Sequence, residues 1–328
     1  MEKGKLTENH EINPFFFEEI LEAGSPVRLR GGTSALEPVT VRRSRLYPGH
    51  ISLIARHRTL RDVPEEVKGV LKEDIDSSSC KFCRPGDLCA ESDEEQTKLS
   101  VEDTQVYVTR TPYYSVPGHL ILFDPKGPHR LEASTEKDWR VLLSAGVTTA
   151  GREQGLRLGL NAGAYIVCGS SQRHLHVQLL PFDRPTPAEQ ALEASLPDGA
   201  SYDEILGAFD EKGLIVEKEE GAFLAACWAP KFSLEMVAVF SRPASFAMLG
   251  PSDTNLLARW LHGASIRFAA PAGGGINGFG LETPGLPYLV RIIPRLPGAV
   301  LAFLEAGADL MVISQPPESV AALWRDKV

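Results

Sequence analysis

An α+β fold of two pseudo-repeated halves, with mostly antiparallel sheets and packed helices, is what the sequence predicts. Three observations predict it. Short apolar segments bounded by Pro, Gly and acidic turns read as strands, with few helical stripes between them. The order strand, helix, strand, strand over residues 119–181 recurs from Lys231 onward. The two copies also end alike: His174-Leu-His176-Val-Gln178-Leu-Leu-Pro181 lies against Pro287-Tyr-Leu289-Val-Arg291-Ile-Ile-Pro294 without a gap. A short apolar match of that kind is common by chance. The shared element order is what makes it a case for internal duplication.

The elements follow in chain order. Residues 1–37 form an N-terminal tail and lead-in, the first 13 of them polar and loose. Residues 38–183 make the first half. It opens on strand, turn, strand with Pro48-Gly49 at the turn, and continues with the short strands VYVTRTP and HLILFDP. Over 136–152 the residues Trp139, Leu142, Leu143, Gly146, Val147 and Ala150 fall at helical spacing. Thr135 with Asp138 three later reads as a capping box at the start of that helix. LGLNAGAYIVCG and RHLHVQLLPF are the strands that follow. Residues 184–220 read as a connector with one short helix, capped by Ser201 and Glu204. Residues 221–328 make the second half, entered through a hairpin turning at Glu219–Gly221. There KFSLEMVAVFSRP is a strand, Leu256, Leu257, Trp260, Leu261 and Ala264 mark a helix, and GINGFGLE and LPYLVRIIP are strands.

At 328 residues there is chain enough for a proper core. A composition 43% hydrophobic and 23% charged is that of an ordinary soluble enzyme. No apolar run approaches the roughly 20 residues that span a bilayer, and the polar start with its acid-interrupted Phe run is no secretory signal. A net charge of −9 argues against nucleic acid as partner, because neutralising phosphates needs clustered Lys and Arg. Three of the five cysteines, Cys80, Cys83 and Cys89, crowd together. Without an export signal, reduced thiols and metal binding are expected, in the cytoplasm.

The chemistry concentrates in GSSQRHLHVQLLP. On a strand, His174, His176 and Gln178 share one face while Leu175, Val177 and Leu179 take the other. Two imidazoles and an amide backed by aliphatics suit a site, although an exposed edge strand would look the same. The pair Cys80-Lys-Phe-Cys83 has the spacing that lets two thiolates reach one zinc ion. Its partners must come from Cys89, Cys168, Cys227 or histidines. A redox pair is the alternative, but the strand-to-helix turn of a thioredoxin-like unit is not evident around it. A Cys2His2 site joining separate segments fits better, and would steady His176 beside it.

Taken together, CKFC, PGHLILFDPKGPH and HLHVQ resemble the galactose-1-phosphate uridylyltransferase-like branch of the histidine-triad superfamily, which includes ADP-glucose:phosphate adenylyltransferase and the diadenosine tetraphosphate phosphorylases. The resemblance spans roughly residues 40–326. It implies the histidine-triad-like fold, with zinc on Cys80, Cys83, His129 and His174, and His176 as nucleophile. HRTLRD resembles the family's phosphate-contacting stretch and points to Arg58 and Arg61. Ser171 matches a family serine at the phosphate, Asn161 an asparagine at the nucleotide, and Gln315 an acceptor-sugar glutamine. Leu175 stands where the uridylyltransferases carry Pro and the phosphorylases do not. PYLVRIIP lacks both histidines, so one active site and one metal are expected per chain, in a homodimer as in relatives.

The implied reaction moves a nucleoside monophosphate from a nucleotide sugar or other nucleoside polyphosphate to a phosphorylated acceptor, or to phosphate itself. A neutral imidazole can attack the α-phosphate, giving a phosphoramidate that a second phosphate displaces. Gln178 has no titratable group near neutral pH, which favours transfer over hydrolysis. A zinc-stabilised nucleotide-binding protein without turnover is the reading from another functional class.

Overall fold

The computed structural model describes residues 80–86, 96–111, 115–163, 170, 173–195, 201–211, 215–226, 236–243, 245–270 and 274–295, together with the backbone of six outlying strands. Arg58, Arg61, Ser171, Gln315, Cys89 and the Pro48-Gly49 turn lie outside the described residues.

The predicted α+β architecture is what forms, around one ten-stranded antiparallel sheet. The first half supplies β6 (Thr97–Val101), β7 (Thr104–Arg110), β8 (Leu120–Phe123), β9 (Leu156–Gly163) and β10 (His176–Pro181). The second supplies β11 (Ile215–Glu219), β12 (Ala222–Ala226), β13 (Met236–Pro243), β14 (Gly275–Leu281) and β15 (Pro287–Arg295). The spatial order is β11-β12-β13-β15-β14-β9-β10-β8-β7-β6. Each half therefore runs its first three strands in sequence and swaps its last two, and the halves meet antiparallel where β9 pairs with β14. A helix joins third to fourth strand in both: α1 (Glu136–Ala150) and α4 (Pro251–Ala264). Between the halves lie α2 (Pro187–Ser195) and α3 (Tyr202–Glu211), so the connector holds two helices where the sequence suggested one. The Ser201–Glu204 box caps α3: Ser201 N–H donates to the Glu204 carboxylate at 2.6 Å. Pro187 at the start of α2 reads as a turn residue from sequence, yet its fixed φ suits the first turn of a helix.

In the lead-in and beyond, β1 (Phe17–Glu22), β4 (Val39–Ser44), β5 (Ile51–Ile54) and β16 (Leu310–Ile313) form a second sheet in that order. β16 joins β5 in parallel, the one parallel pair among the described strands. β2 (Pro26–Arg28) and β3 (Ser34–Leu36) make a small ribbon.

Alternation assigns the faces of the large sheet. Leu158, Leu160, Leu175, Val177, Leu179, Tyr288 and Val290 point to the side that α1 and α4 cover, and pack there with Trp139 and Trp260. Thr135 caps α1 through the box its sequence announced, with Asp138 bonding back to the Thr135 N–H. Gly146 on the same helix is a close approach: a Cβ there would meet the Phe246 ring at 3.0 Å. On the opposite face, Leu180, Phe223, Val237, Val239, Phe279 and Leu289 pack under Ala188 of α2 and Ile205 of α3. Only part of that second face is so covered. On β10 it carries His176 and Gln178 instead, beside Phe123 and Ile121 of β8. Among the described residues no helix is long and apolar enough to cross a membrane.

Candidate active site and metal centre

Strand β10 begins at His176, two residues later than its motif, with His174 in the segment just before it. The alternation still runs as predicted. Leu175, Val177 and Leu179 enter the helix-covered core, while His174, His176 and Gln178 lie on the other side, 1%, 4% and 6% exposed. Buried side chains of this polarity need partners, and each has them.

His174 is gripped at both ring nitrogens. Its Nε2–H donates to the Asp124 carbonyl at 2.6 Å. Its Nδ1 then carries the lone pair and lies 3.6 Å from Cys80 Sγ, 3.5 Å from Cys83 Sγ and 3.3 Å from His129 Nε2. His129 Nε2 is in turn 3.3 Å from Cys83 Sγ. These four donor atoms all lie within 4.8 Å of one another. Bonds of about 2.3 Å to sulfur and 2.0–2.1 Å to nitrogen set tetrahedral edges of about 3.3–3.8 Å. The four separations given fall in that range and the widest is within 4.8 Å, so the Cys2His2 cluster could coordinate a metal ion, and the donor set suits zinc.

Local sequence explains the convergence. Asp124-Pro-Lys-Gly127 turns sharply, with Gly127 N–H donating to the Asp124 carbonyl at 2.8 Å, and Leu175 N–H donates to the Pro128 carbonyl at 2.9 Å. The loop thus wraps the His174 ring and presents His129. Gly127 is a close approach: a Cβ there would stand 3.0 Å from His174 Nε2 and 3.0 Å from the Asp124 carbonyl oxygen. Residues 81–83 form the tight turn that brings Cys80 and Cys83 to one point.

Electrostatics fit a cation. Burial and the neighbouring Cys80 thiol push Cys83 up to about 11, so without a positive charge it stays protonated. Burial pulls His174 down to about 4 and lowers His129 as well. Neutral imidazoles are the ligating form, and a bound dication would reverse the thiol's preference.

His176 is held differently. Its Nδ1–H donates to the backbone carbonyl of His174 at 2.7 Å. The lone pair is therefore on Nε2, and the Gln178 amide nitrogen lies 3.4 Å from it. Asn161 sits on β9 facing the same side. The β9–β10 register pairs Gln178 with Gly159, and continuing it by two residues sets Asn161 opposite His176. Across the seam, Asn277 donates to Asn161 Oδ1 at 2.6 Å.

Of the residues the sequence singled out, Cys80, Cys83, His129 and His174 come together, and His176, Gln178 and Asn161 share the adjoining patch. Phe82, Gly127, Asp124 and Asn277 escaped the sequence reading. Asn277 could have been suspected from its polar side chain in a buried strand. Asp124 acts through its backbone, which no side-chain motif records.

No protein-family model matches this chain, and no curated protein matches it. Solved structures do resemble it. An ADP-glucose phosphorylase from Arabidopsis thaliana with bound ADP-glucose is 15% identical, with a TM-score of 0.49 over 85% of this chain and 96% of that one. A uridylyltransferase is 19% identical, with a TM-score of 0.44 over 70% of this chain and 77% of that one. A yeast Ap4A phosphorylase in complex with AMP is 13% identical, with a TM-score of 0.44 over 94% of this chain and 85% of that one.

Proposed function

We propose that this protein transfers a nucleoside monophosphate from a nucleotide sugar or related diphosphate to a phosphorylated acceptor, through a covalent nucleotidyl-His176 intermediate. The observation that carries the proposal is the His176 ring. One nitrogen is committed as a donor to the His174 carbonyl, and the other bears its lone pair beside the Gln178 amide. A fixed tautomer with a positioned lone pair is what nucleophilic catalysis by imidazole needs.

In the first step Nε2 attacks the α-phosphorus and the bond to the bridging oxygen breaks. The sugar phosphate leaves with that electron pair. The ring becomes cationic as the P–N bond forms, and its Nδ1–H strengthens its bond to the carbonyl. In the second step an oxygen of the acceptor phosphate attacks phosphorus, the P–N bond breaks, and its electrons return to Nε2. Inorganic phosphate would complete the same step as a phosphorylase. Gln178 and Asn161 can donate to the non-bridging oxygens, where charge accumulates in a loose transition state. Arg58, Arg61 and Ser171 are assigned to the donor phosphates and Gln315 to the acceptor sugar. Zinc on Cys80, Cys83, His129 and His174 would act structurally, clamping the cysteine turn to the segment that carries His176.

Intact-protein mass after brief incubation with nucleotide sugars and dinucleoside polyphosphates, without acceptor, tests this. The expected result is an acid-labile gain of one nucleotidyl group that is absent in His176→Ala and discharged by phosphate or a sugar phosphate. Reversible nucleotide binding with no adduct from any donor, in zinc-replete protein, would instead support a binding protein without turnover.

A further inference from the structure

We infer that Asn277, supplied by the second half, is a positioning residue that turns the donor end of the Asn161 amide toward His176. The inference rests on the nucleotidyl transfer proposed above, in which Asn161 donates to a non-bridging oxygen. The geometry of the amide pair is independent of that reading.

A row of polar side chains across three strands carries the argument. Asn277 of β14 lies directly opposite Asn161 of β9 in the register. The β9–β10 register, continued by two residues from Gln178 and Gly159, sets Asn161 opposite His176. His176, Asn161 and Asn277 thus stand side by side, 4%, 5% and 0% exposed. Their neighbours Leu160, Ala162 and Ile276 are buried in the core on the other face, so the strands that carry the two asparagines are held in place.

Asn277 Nδ2 donates to Asn161 Oδ1 at 2.6 Å. An asparagine amide is planar, with a carbonyl that accepts at one end and an NH2 that donates at the other. Its χ2 has a broad intrinsic preference, so contacts and not the torsion itself select which end faces which way. With Oδ1 turned to β14, Nδ2 is turned the opposite way, toward β10 and His176. The sense of the amide matters chemically. Phosphate oxygens accept hydrogen bonds, so an Asn161 turned about would set its carbonyl against the charge that builds up in the transition state. Asn277 favours the productive sense because it presents a donor to Asn161, which leucine of similar shape could not do. In the aligned strand ends, the second half has Leu289 and Arg291 at the places of His176 and Gln178. It contributes to the site instead from across the seam, through Asn277.

The test uses the full chain in its zinc-loaded form. In wild type labelled with 15N and 13C in asparagine, coupling across the hydrogen bond should connect the Asn277 side-chain nitrogen to the Asn161 side-chain carbon. Coupling in the reverse sense, from the Asn161 nitrogen to the Asn277 carbon, would overturn the inference. Titration with inorganic phosphate should shift the Asn161 amide protons, and unmoved Asn161 signals while those of the His176 ring respond would also overturn it. Single-turnover adduct formation over a range of donor concentrations is then compared in Asn277→Leu, Asn161→Leu and the double variant. Asn161→Leu should lower the limiting rate about 10²–10³-fold, as for removal of one transition-state donor. Asn277→Leu should lower it about tenfold or more, with little change in the half-saturating donor concentration. The double variant should be no slower than Asn161→Leu. Losses that multiply in the double variant would mean that Asn277 acts independently of Asn161, and would overturn the positioning role. If Asn277→Leu does not fold, the coupling and the phosphate titration in wild type still decide. If wild type forms no adduct with any donor, the transfer reading falls, and the coupling still decides the sense of the amide.

Discussion

Replacing Arg157 by Met should cost about 3–5 kcal/mol of stability at neutral pH, and the loss should shrink in acid. Arg157 stands on β9 at the seam between the halves. Its Nε donates to Glu189 on α2 at 2.9 Å, and its Nη1 pairs with Glu282, just after β14, at 2.7 Å. The three side chains are 10%, 0% and 12% exposed. Two charge-assisted bonds at about 1.5–3 kcal/mol each give about 3–6 kcal/mol, in line with the 3–5 kcal/mol typical of breaking a buried pair from one side. Methionine fills the volume but leaves two carboxylates facing each other. They keep only backbone donors: Thr186 and Glu282 N–H to Glu189, and Phe246 N–H to Glu282. Burial already holds Glu282 above its ordinary range while Arg157 pulls it down. Without the guanidinium the Glu282 carboxyl is expected to rise further. A carboxyl whose folded pKa is raised adds stability below its unfolded pKa and loses it as pH climbs through the folded value. Guanidinium denaturation of both proteins at pH 5 and pH 8 should therefore show the larger deficit at pH 8. A deficit under about 1 kcal/mol, or one equal at both pH values, would mean that packing and not charge governs the seam.

Other predictions concern the metal turn and the glycines. Cys83→Ser should lose bound zinc, measured by elemental analysis. Zinc titration of the metal-stripped wild type should release protons to a pH-stat at neutral pH, because burial keeps the Cys83 thiol protonated up to about 11 until a cation arrives. Gly127→Ala should weaken zinc binding about 10–100-fold in a competition with a chromogenic chelator, since its Cβ would press on His174 Nε2 and disturb that ring's bond to Asp124. Gly263→Ala in α4, where a Cβ meets nothing within 4 Å, should stabilise by about 0.5–1 kcal/mol through helix entropy. Gly274→Ala, whose Cβ would fall on the backbone carbonyl of Arg295, should destabilise by about 1–3 kcal/mol or more. Thermal melts that ranked these two glycines the other way would refute the packing argument.

How much of this was legible depends on the range of the interaction that fixes each feature. The capping box at Thr135 and Asp138 and the stripe of α1 are set within a few residues, and the structure follows them. The two-sided character of HLHVQ is set by strand alternation and holds even though β10 begins only at His176. Phe82 was invisible for the opposite reason. Between two cysteines it reads as filler, and its place beside His176 comes from stacking on Phe123, 41 positions away in sequence. Gly127 announces a turn but not the imidazole that crowds a side chain there. The second connector helix was obscured by the Pro and acidic content around Pro187, and the carboxylate of Glu189 that closes its first turn is also the buried partner of Arg157.

The repeated strand order of the two halves allows a comparison of their equivalent positions. In the aligned strand ends, Leu289 takes the place of His176 and Arg291 that of Gln178. The surroundings of Leu289 have changed accordingly. It pairs with Val239 where His176 pairs with Phe123. Its face of the sheet is filled by Phe223, Val237 and Val239 packing under Ala188 and Ile205 from the connector helices. In the first half the corresponding position is taken by the cysteine turn, with Phe82 and the metal donors where the second half has α2 and α3. The two faces thus solve the same problem, covering one half of a sheet, by different means. One uses apolar side chains from two amphipathic helices. The other uses a short turn whose four donors could hold a cation, beside which His176, Gln178 and Asn161 lie together as polar groups. Restoring histidine at position 289 alone would bury an imidazole among aliphatics and would not recreate the site.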